Sequence, residues 1–135
     1  MMNPTEIQRK AMEADYLRVQ TDQLQRQLAQ LQQTFTELRA TQSTLDHVSS
    51  LKKGALFSVG SGVFAKSVVE NTDELLVDLG ARTLVQKKPY EIKKLLQGRI
   101  DVIEKSMNEL SDAYAAGQER MDALQNDLER LSTSR

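Results

Sequence analysis

Leucine recurs at every seventh residue along the first third of the chain, and this spacing limits the folds open to it. The repeat consists of Leu17, Leu24, Leu31, Leu38 and Leu45. A second track of mostly apolar or small residues lies between these leucines, at Ile7, Ala14, Thr21, Leu28, Phe35 and Gln42. Alternating spacings of three and four residues place both tracks on one side of a helix, as in a coiled coil. We therefore predict a long helix over residues 5–50, beginning beside Pro4.

A second heptad pattern follows Pro89. Its first track is Leu96, Ile103, Leu110, Gly117, Leu124 and Leu131, and its second track is Ile100, Met107, Tyr114, Met121 and Leu128. The same alternation of three and four residues predicts a second coiled-coil helix over residues 89–132. Two such helices of similar length, joined through a short middle segment, favour one chain folded back into an antiparallel coiled coil.

The two patterns also predict which residues face each other. If the helices start from a common joint, the numbers of facing residues sum to about 139, as expected for an antiparallel pair. Thr21 then faces Gly117, with Ala14 close by on the first helix. Because small side chains bury little apolar area, we expect a thinner and looser seam toward the chain termini.

The middle of the chain, residues 54–88, has the composition of strands. Segments rich in valine, leucine and phenylalanine surround two glycine-containing turns, Gly60-Ser61-Gly62 and Gly80-Ala81-Arg82. These features predict two β-hairpins, with strands at 55–59, 63–69, 75–79 and 83–87. Two isolated hairpins are marginally stable in water, so we expect them to form an assembly element. The predicted fold class is α+β, mainly α, in a single domain over residues 1–135.

The composition argues against several functional classes. The chain has no cysteine, a single histidine and a formal net charge of −1. His47 lies at a non-core position and lacks neighbouring ligands, and Gly60-x-Gly62 precedes a strand rather than the helix of a nucleotide-binding turn. We therefore expect no metal, no cofactor and no catalytic residue. The absence of a long basic or apolar run predicts neither nucleic-acid binding nor membrane insertion.

The residues between Gly60 and Lys88 carry a family resemblance. The segment GSGVFAKSVVENTDELLVDLGARTLVQKK contains a G-x-G-V-F-x-K run, an N-T-D turn and an L-V-x-L-G strand. In this context of two flanking heptad helices, the chain resembles the alpha-type subunit of prefoldin, a co-chaperone of archaea and eukaryotes. Two hairpins rather than one favour the alpha type over the beta type. The family often has V-P-L-G where this chain has Phe57-Ser58-Val59-Gly60.

The resemblance implies a function and a set of partners. In the family, two alpha-type and four beta-type subunits join their hairpins into a β-barrel platform that carries six coiled coils. The coiled-coil tips hold unfolded polypeptides and deliver them to a group II chaperonin without ATP hydrolysis. We therefore expect a cytoplasmic, non-enzymatic co-chaperone subunit with beta-type subunits, unfolded clients and a chaperonin as its partners.

Two sets of residues are expected to serve these roles. Alternation in the strands predicts an oligomer interface at Val63, Phe64, Leu76, Val77, Leu79 and Val85. The expected thinning of the seam predicts client contacts at the tip, at Ile7, Ala11, Met12, Ala14, Leu124, Leu128 and Leu131. Flexible methionine and leucine side chains suit such contacts because they repack against varied apolar surfaces.

Two other functions are compatible with the same sequence. A coiled-coil adaptor or spacer would use the hairpins only to close a dimer, and would not suppress aggregation of an unfolded client. A helical arm of an enzyme would require a cluster of polar catalytic residues.

Overall fold

Two long helices flank four short strands in the order of the chain, within residues 4–133, which the computed structural model describes. Helix α1 spans Pro4–Asp46 and helix α2 spans Pro89–Thr133. Between them lie a 3₁₀ segment, Val48–Lys53, and the strands β1 Ala55–Gly60, β2 Val63–Ser67, β3 Leu75–Asp78 and β4 Leu84–Lys87. The predicted mainly helical α+β class is confirmed. The outermost residues of the predicted domain, 1–3 and 134–135, lie outside the described residues.

The helix boundaries follow from local backbone chemistry. Pro89 occupies the first position of α2, where its missing N–H leaves no hydrogen bond unmade. The carboxylate of Glu91 accepts a hydrogen bond from the Lys88 backbone N–H at 3.2 Å, which is half of a capping box. Helix α1 ends at Asp46, four residues before the predicted boundary, because the chain tightens there into the 3₁₀ segment.

The structure consists of two compact units. The terminal unit comprises residues 4–34 and 103–133, and the central unit comprises residues 35–102. Each unit contains part of α1 packed against part of α2, and within each unit the contacts run antiparallel. Lys10 pairs with Asp127 and Thr21 with Gly117 in the terminal unit, whereas Asp46 pairs with Lys93 in the central unit.

The seam of the terminal unit is narrow and closed. As predicted, Thr21 faces Gly117, and a Cβ atom built on Gly117 would lie only 2.7 Å from the Thr21 Cγ2 methyl. The Thr21 hydroxyl donates a hydrogen bond to the Arg18 carbonyl at 3.0 Å, which holds this methyl toward α2. Thr21 and Leu124 are both buried, with 3% and 0% of their surfaces exposed. The seam is therefore thin at this point, as expected, because the small residues let the helices approach instead of leaving a gap.

The core of the central unit joins the helices to the second hairpin. Leu45 from α1 and Ile92 and Leu96 from α2 form a buried cluster, on which Leu38, Leu75 and Val77 pack. Ile100 is fully buried in the same unit. Burial of apolar surface in this cluster is what stabilises β3 against the helices, since an isolated hairpin is marginal.

A polar layer interrupts the apolar seam of the central unit. Gln42 occupies a core heptad position, and its Nε2 donates hydrogen bonds to Gln97 Oε1 at 3.1 Å and to the Lys93 carbonyl at 3.4 Å. Gln97 in turn donates to Asp101 at 2.8 Å. A hydrogen-bonded polar side chain at a core position penalises other helix alignments, in which it would lose its partners. This layer fixes the register of α1 against α2.

The four strands form two separate antiparallel hairpins, β1–β2 and β3–β4. In the first hairpin Leu56 pairs with Lys66, and the pairing shifts between Ser58 and Gly60 because Val59 forms a bulge. In the second hairpin Leu76 pairs with Gln86 and Val77 with Val85. The two predicted hairpins are confirmed, with strand boundaries that differ by one or two residues.

Both hairpin turns use left-handed backbone conformations. Ser61 and Gly62 have φ of 50° and 81°, as in the two-residue turns whose twist matches that of paired strands. In the second turn Ala81 and Arg82 also have positive φ, of 51° and 61°. The Asp78 carboxylate accepts a hydrogen bond from the Gly80 N–H at 2.8 Å and so supports this turn.

Alanine substitution at the two helical glycines of α2 should have opposite effects on stability. Gly98→Ala places its Cβ in open space and removes a flexible residue from a helix, so it should stabilise the protein by roughly 0.5–1 kcal/mol. Gly117→Ala gains the same propensity but collides with Thr21, and overpacking of this kind typically costs about 1–3 kcal/mol. We expect Gly117→Ala to lower the midpoint of thermal unfolding and Gly98→Ala to raise it.

A double variant isolates the colliding methyl group. Thr21→Ser keeps the hydroxyl that binds the Arg18 carbonyl and removes only Cγ2. Gly117→Ala should therefore be stabilising, or close to neutral, in the Thr21→Ser background. Equal midpoint shifts for Gly117→Ala in the two backgrounds would contradict the close packing of the helices at this point.

Candidate functional site

The first hairpin exposes its large apolar side chains. These are Leu56, Phe57, Val59, Val63 and Phe64, with Val68 just after β2. The pairing places Leu56 and Phe64 on one face of the hairpin and Phe57 on the other. Contiguous exposed apolar surface of this kind is typical of a protein–protein interface. The hairpin therefore offers apolar side chains on both faces.

The second hairpin has one covered face and one exposed face. Leu75, Val77 and Val85 are half-buried, and the first two pack on the helical core. Leu76 and Leu84 lie on the opposite face, where both are exposed. The covered face anchors the hairpin to its own chain, and the exposed face is available to another chain.

The residues predicted to form the oligomer interface therefore occupy two environments. Val63, Phe64, Leu76 and Leu79 are exposed, whereas Val77 and Val85 are half-buried and face the chain's own helices. Leu56 and Leu84, which were not among the residues predicted from the sequence, are as exposed as Leu76. Alternation along β3 and β4 could have identified Leu84. It pairs with Asp78, and Asp78 lies on the same face of the hairpin as Leu76.

The residues predicted to contact clients also differ in exposure. Met12 and Ile7 are both exposed, Met12 the more so. Ala11, Ala14, Leu128 and Leu131 are half-buried, and Leu124 has no exposed surface. The predicted set is thus mainly the closed seam of the terminal unit. Leu124 becomes available to a ligand only if the helices separate.

Ion pairs between described residues join the helices of the terminal unit. Lys10 Nζ lies 2.7 Å from Asp127 Oδ2, with both side chains largely buried. Glu13 receives hydrogen bonds from Arg120 Nε at 3.0 Å and Arg120 Nη2 at 3.3 Å, a bidentate arrangement. Glu13 lies one turn from Lys10 on α1, and Arg120 lies two turns from Asp127 on α2, so the pairs brace the seam on either side of Leu124.

These contacts alter the acidity of the carboxyl groups. The hydrogen bond and charge of Arg120 hold the pKa of Glu13 below its ordinary value of 4.5. Hydrogen bonds from Lys10 and Arg130 hold the pKa of Asp127 below its ordinary value of 3.8. In the central unit, Lys93, whose Nζ lies 2.6 Å from Asp46 Oδ1, lowers the pKa of Asp46 in the same way.

The described side chains do not gather into a site for metal chemistry. Across residues 4–133, no cluster of histidine, cysteine and carboxylate side chains is arranged to hold a metal ion. In the same part of the chain, neither helix has a sufficiently long apolar stretch to cross a membrane.

Comparison with known proteins identifies the family. Residues 17–134 match the family model of the prefoldin subunit, which is most of the chain. The chain belongs to the prefoldin family. Members of this family have a chaperone-type role, and the coiled-coil helices and hairpins of this chain have the prefoldin architecture.

Individual relatives agree with this assignment. The chain is 28% identical over 113 residues to prefoldin subunit alpha of Archaeoglobus fulgidus, covering 82% of each protein. It is 27% identical over 94 residues to prefoldin subunit alpha of Methanocorpusculum labreanum, covering 68% of this chain and 64% of the relative. The resemblance to alpha-type prefoldin is confirmed by these relatives.

A solved structure shares the fold. A chain in the cryo-EM structure of filamentous PFD from Methanocaldococcus jannaschii superimposes with a TM-score of 0.72 at 22% identity. The match covers 87% of this chain and 98% of that chain. Two long helices flanking small hairpins are thus common to both proteins.

The ion pairs of the terminal unit predict an acid-sensitive stability. Because the pKa values of Glu13 and Asp127 are lowered in the folded state, these carboxylates stabilise it above their ordinary pKa values. That contribution is lost as the pH falls through the lowered values. The thermal midpoint of the wild-type protein should therefore fall more between about pH 6 and pH 3 than that of Glu13→Gln/Asp127→Asn.

A control separates these contacts from the general effect of charge. Glu119→Gln/Asp122→Asn makes the same change in charge at exposed positions of α2. This variant should retain the wild-type dependence on pH. Parallel midpoint curves for all three proteins would show that the ion pairs contribute nothing to stability.

Proposed function

We propose that this chain is a subunit of an ATP-independent prefoldin co-chaperone that binds unfolded polypeptides and delivers them to a group II chaperonin. The observation that carries the proposal is the exposed apolar surface of both hairpins in a member of the prefoldin family. A chain that leaves Leu56, Phe64 and Leu76 in water gains stability when other subunits cover them. The hairpins are therefore assigned to assembly.

The proposed partners are beta-type subunits, in a complex of two alpha-type chains and four beta-type chains. The proposed compartment is the cytoplasm. The exposed faces fit this arrangement because the first hairpin can contact neighbours on both sides. The coiled coil is then the part of the chain that is available to bind clients. Contacts by one chain would be weak, so several coiled coils acting on one client would supply the affinity. The proposed activity requires no catalytic residue.

Assembly through the hairpins is tested by Leu76→Asp in complex with a beta-type subunit. Leu76 lies on the exposed face, so the substitution should leave the helical circular dichroism signal of the chain intact. A buried aspartate at a subunit interface would be left without a partner, which strongly disfavours association. We expect mass measurements to show loss of the hexamer.

Two further variants make the result specific. Ser111→Asp adds the same charge at an exposed position of α2, away from the hairpins, and should assemble normally. Val77→Asp should lower the thermal midpoint of the isolated chain as well, because Val77 packs on its core. If Leu76→Asp forms normal hexamers, the exposed face of the second hairpin is not part of the subunit interface.

Client binding is tested by truncation. Removal of residues 1–13 and 123–135 deletes part of the terminal unit and no strand residue, so hexamers should still form. The same truncation should abolish suppression of aggregation of an unfolded protein, measured by light scattering. A full-length hexamer that fails to suppress aggregation would favour the alternative role of structural adaptor. A truncated hexamer that protects as well as the full-length one would place client binding elsewhere.

A further inference from the structure

The first hairpin buries little of its surface against the rest of its own chain. Every residue of β2 is exposed, and in β1 only Ala55 is half-buried. The exposed fraction reaches 66% at Leu56 and 70% at Val59. Because apolar burial is the main source of stability in a folded chain, the helices contribute little to holding this hairpin closed.

The base of the first hairpin is also weakly supported. The Val69 backbone N–H donates a hydrogen bond to the Leu51 carbonyl at 3.1 Å, which ties the chain after β2 to the 3₁₀ segment. Beside this bond lies an open recess of about 680 Å³, whose lining includes Lys53, Leu56 and Val68. An open recess at this place means that no packed side chains brace the point where the two strands leave the helices.

The local sequence of the first hairpin does not compensate for the missing burial. A two-stranded hairpin is marginally stable in water even with favourable residues. These strands contain Ala55, Gly60 and Ala65, which are poor strand formers, and the bulge at Val59 interrupts their pairing. The turn places Ser61 at a φ of 50°, which is unfavourable for most residues other than glycine and asparagine.

The second hairpin is held by its own chain. Leu75 and Val77 pack on the buried cluster between the helices. The segment that leads into β3 is ordered as well, since Asn71 Oδ1 accepts hydrogen bonds from the backbone N–H groups of Asp73 at 2.9 Å and Glu74 at 3.2 Å. Opening of this hairpin would therefore disrupt the helical core, whereas opening of the first hairpin would not.

We propose that the first hairpin folds stably only when other subunits cover it, whereas the second hairpin is already folded in the free chain. In the free chain the first hairpin interconverts with an open form. The proposal rests on the assembly through hairpins proposed above. Subunit contact supplies the apolar burial that the chain itself lacks, and part of the binding free energy is used to order the hairpin.

This coupling makes a free chain distinguishable from an assembled one. The open form exposes the backbone around Phe57 and Phe64 in an extended, apolar segment, which is the kind of segment that proteases cleave. Assembly removes the open form, because the covered hairpin cannot open without losing its subunit contacts. The first hairpin thus marks a subunit that has no partners, while its helices and second hairpin stay folded.

Hydrogen exchange of the free chain tests the proposal directly. The chain is diluted until its mass in solution is that of one copy, 15.2 kDa. The paired amides of β1 and β2 should then exchange within about tenfold of the unstructured rate, and those of β3 and β4 at least about a hundredfold more slowly. In complex with a beta-type subunit, the β1 and β2 amides should slow by at least about a hundredfold. Equal protection of the two hairpins in the free monomer would overturn the proposal.

Matched turn variants test which hairpin belongs to the cooperatively folded part of the free chain. Ser61→Asn creates Asn-Gly, the most favourable pair for a two-residue turn, and Ala81→Asn places asparagine at a nearly equal φ of 51° in the second turn. Ser61→Asn should raise the protection of the β1 and β2 amides about threefold and leave the thermal midpoint unchanged. Ala81→Asn should raise the midpoint. A rise of the same size with Ser61→Asn would show that the first hairpin unfolds together with the core, against the proposal.

Limited cleavage by chymotrypsin provides a test that does not depend on a variant. Phe64 and Tyr16 are 60% and 63% exposed, but Tyr16 lies within α1. In the free chain, cleavage after Phe57 and Phe64 should be at least about tenfold faster than cleavage after Tyr16, since a protease requires an open backbone. Assembly should abolish this difference. Equally slow cleavage after Phe64 and Tyr16 in the free chain would contradict an open first hairpin.

The outcomes separate this proposal from the proposed function. A chain that forms no complex with beta-type subunits would refute the assembly on which the proposed function depends. A complex that forms from free chains with a fully protected first hairpin would refute the coupled folding alone. A complex in which the β1 and β2 amides still exchange as fast as in the free chain would also refute it, because other subunits would then not order the hairpin.

Discussion

The apolar packing of α1 against α2 is the interaction on which the other features of this chain depend. In the central unit it brings Leu45 against Ile92 and Leu96, and this cluster gives the second hairpin a surface to pack on. Without that surface, a hairpin with four paired residues in each strand would be too small to be stable in water. The helices therefore do more than carry the hairpins, because they supply the buried area that lets one of them fold.

The two hairpins use their apolar residues differently. The second hairpin places Leu75 and Val77 in its own core and leaves only Leu76 and Leu84 outward. The first hairpin leaves apolar side chains exposed on both of its faces. This division separates a hairpin anchored to its own chain from one that this chain leaves exposed on both faces. It is consistent with the proposed assembly, in which folding of the chain and association with other subunits would draw on different residues.

Small and polar residues in the seam determine how the helices are aligned. The hydrogen-bonded pair Gln42 and Gln97 would lose its contacts if one helix slid along the other. Thr21 and Gly117 fit closely in only one alignment, since any larger residue opposite Thr21 would collide with its methyl group. Such contacts add less burial than leucines do, yet they distinguish the correct register from others that would bury similar apolar area. The leucines stabilise the helix pair, and the small and polar residues of the seam determine its register.

The sequence by itself determined both helices, both hairpins and the pairing of Thr21 with Gly117. Heptad spacing and glycine-containing turns are local patterns, and each corresponds to one kind of local structure. The sequence could not determine which apolar residues stay exposed. Alternation placed Val77 and Leu76 on opposite faces of β3, but only the position of β3 over Leu45 and Leu96 decided that Val77 is the covered one.

The same reason explains the terminal unit. Small residues at Thr21 and Gly117 indicated a thin seam, and only the tertiary structure shows that the backbones approach until the residues touch. Met12 was selected from the sequence as a residue near the end of the seam, yet it lies with Tyr16 and Val19 on the outer face of α1. Exposure depends on what lies opposite each side chain. The exposure of a side chain is therefore a property of the packed helices, and the spacing of residues along one helix cannot predict it.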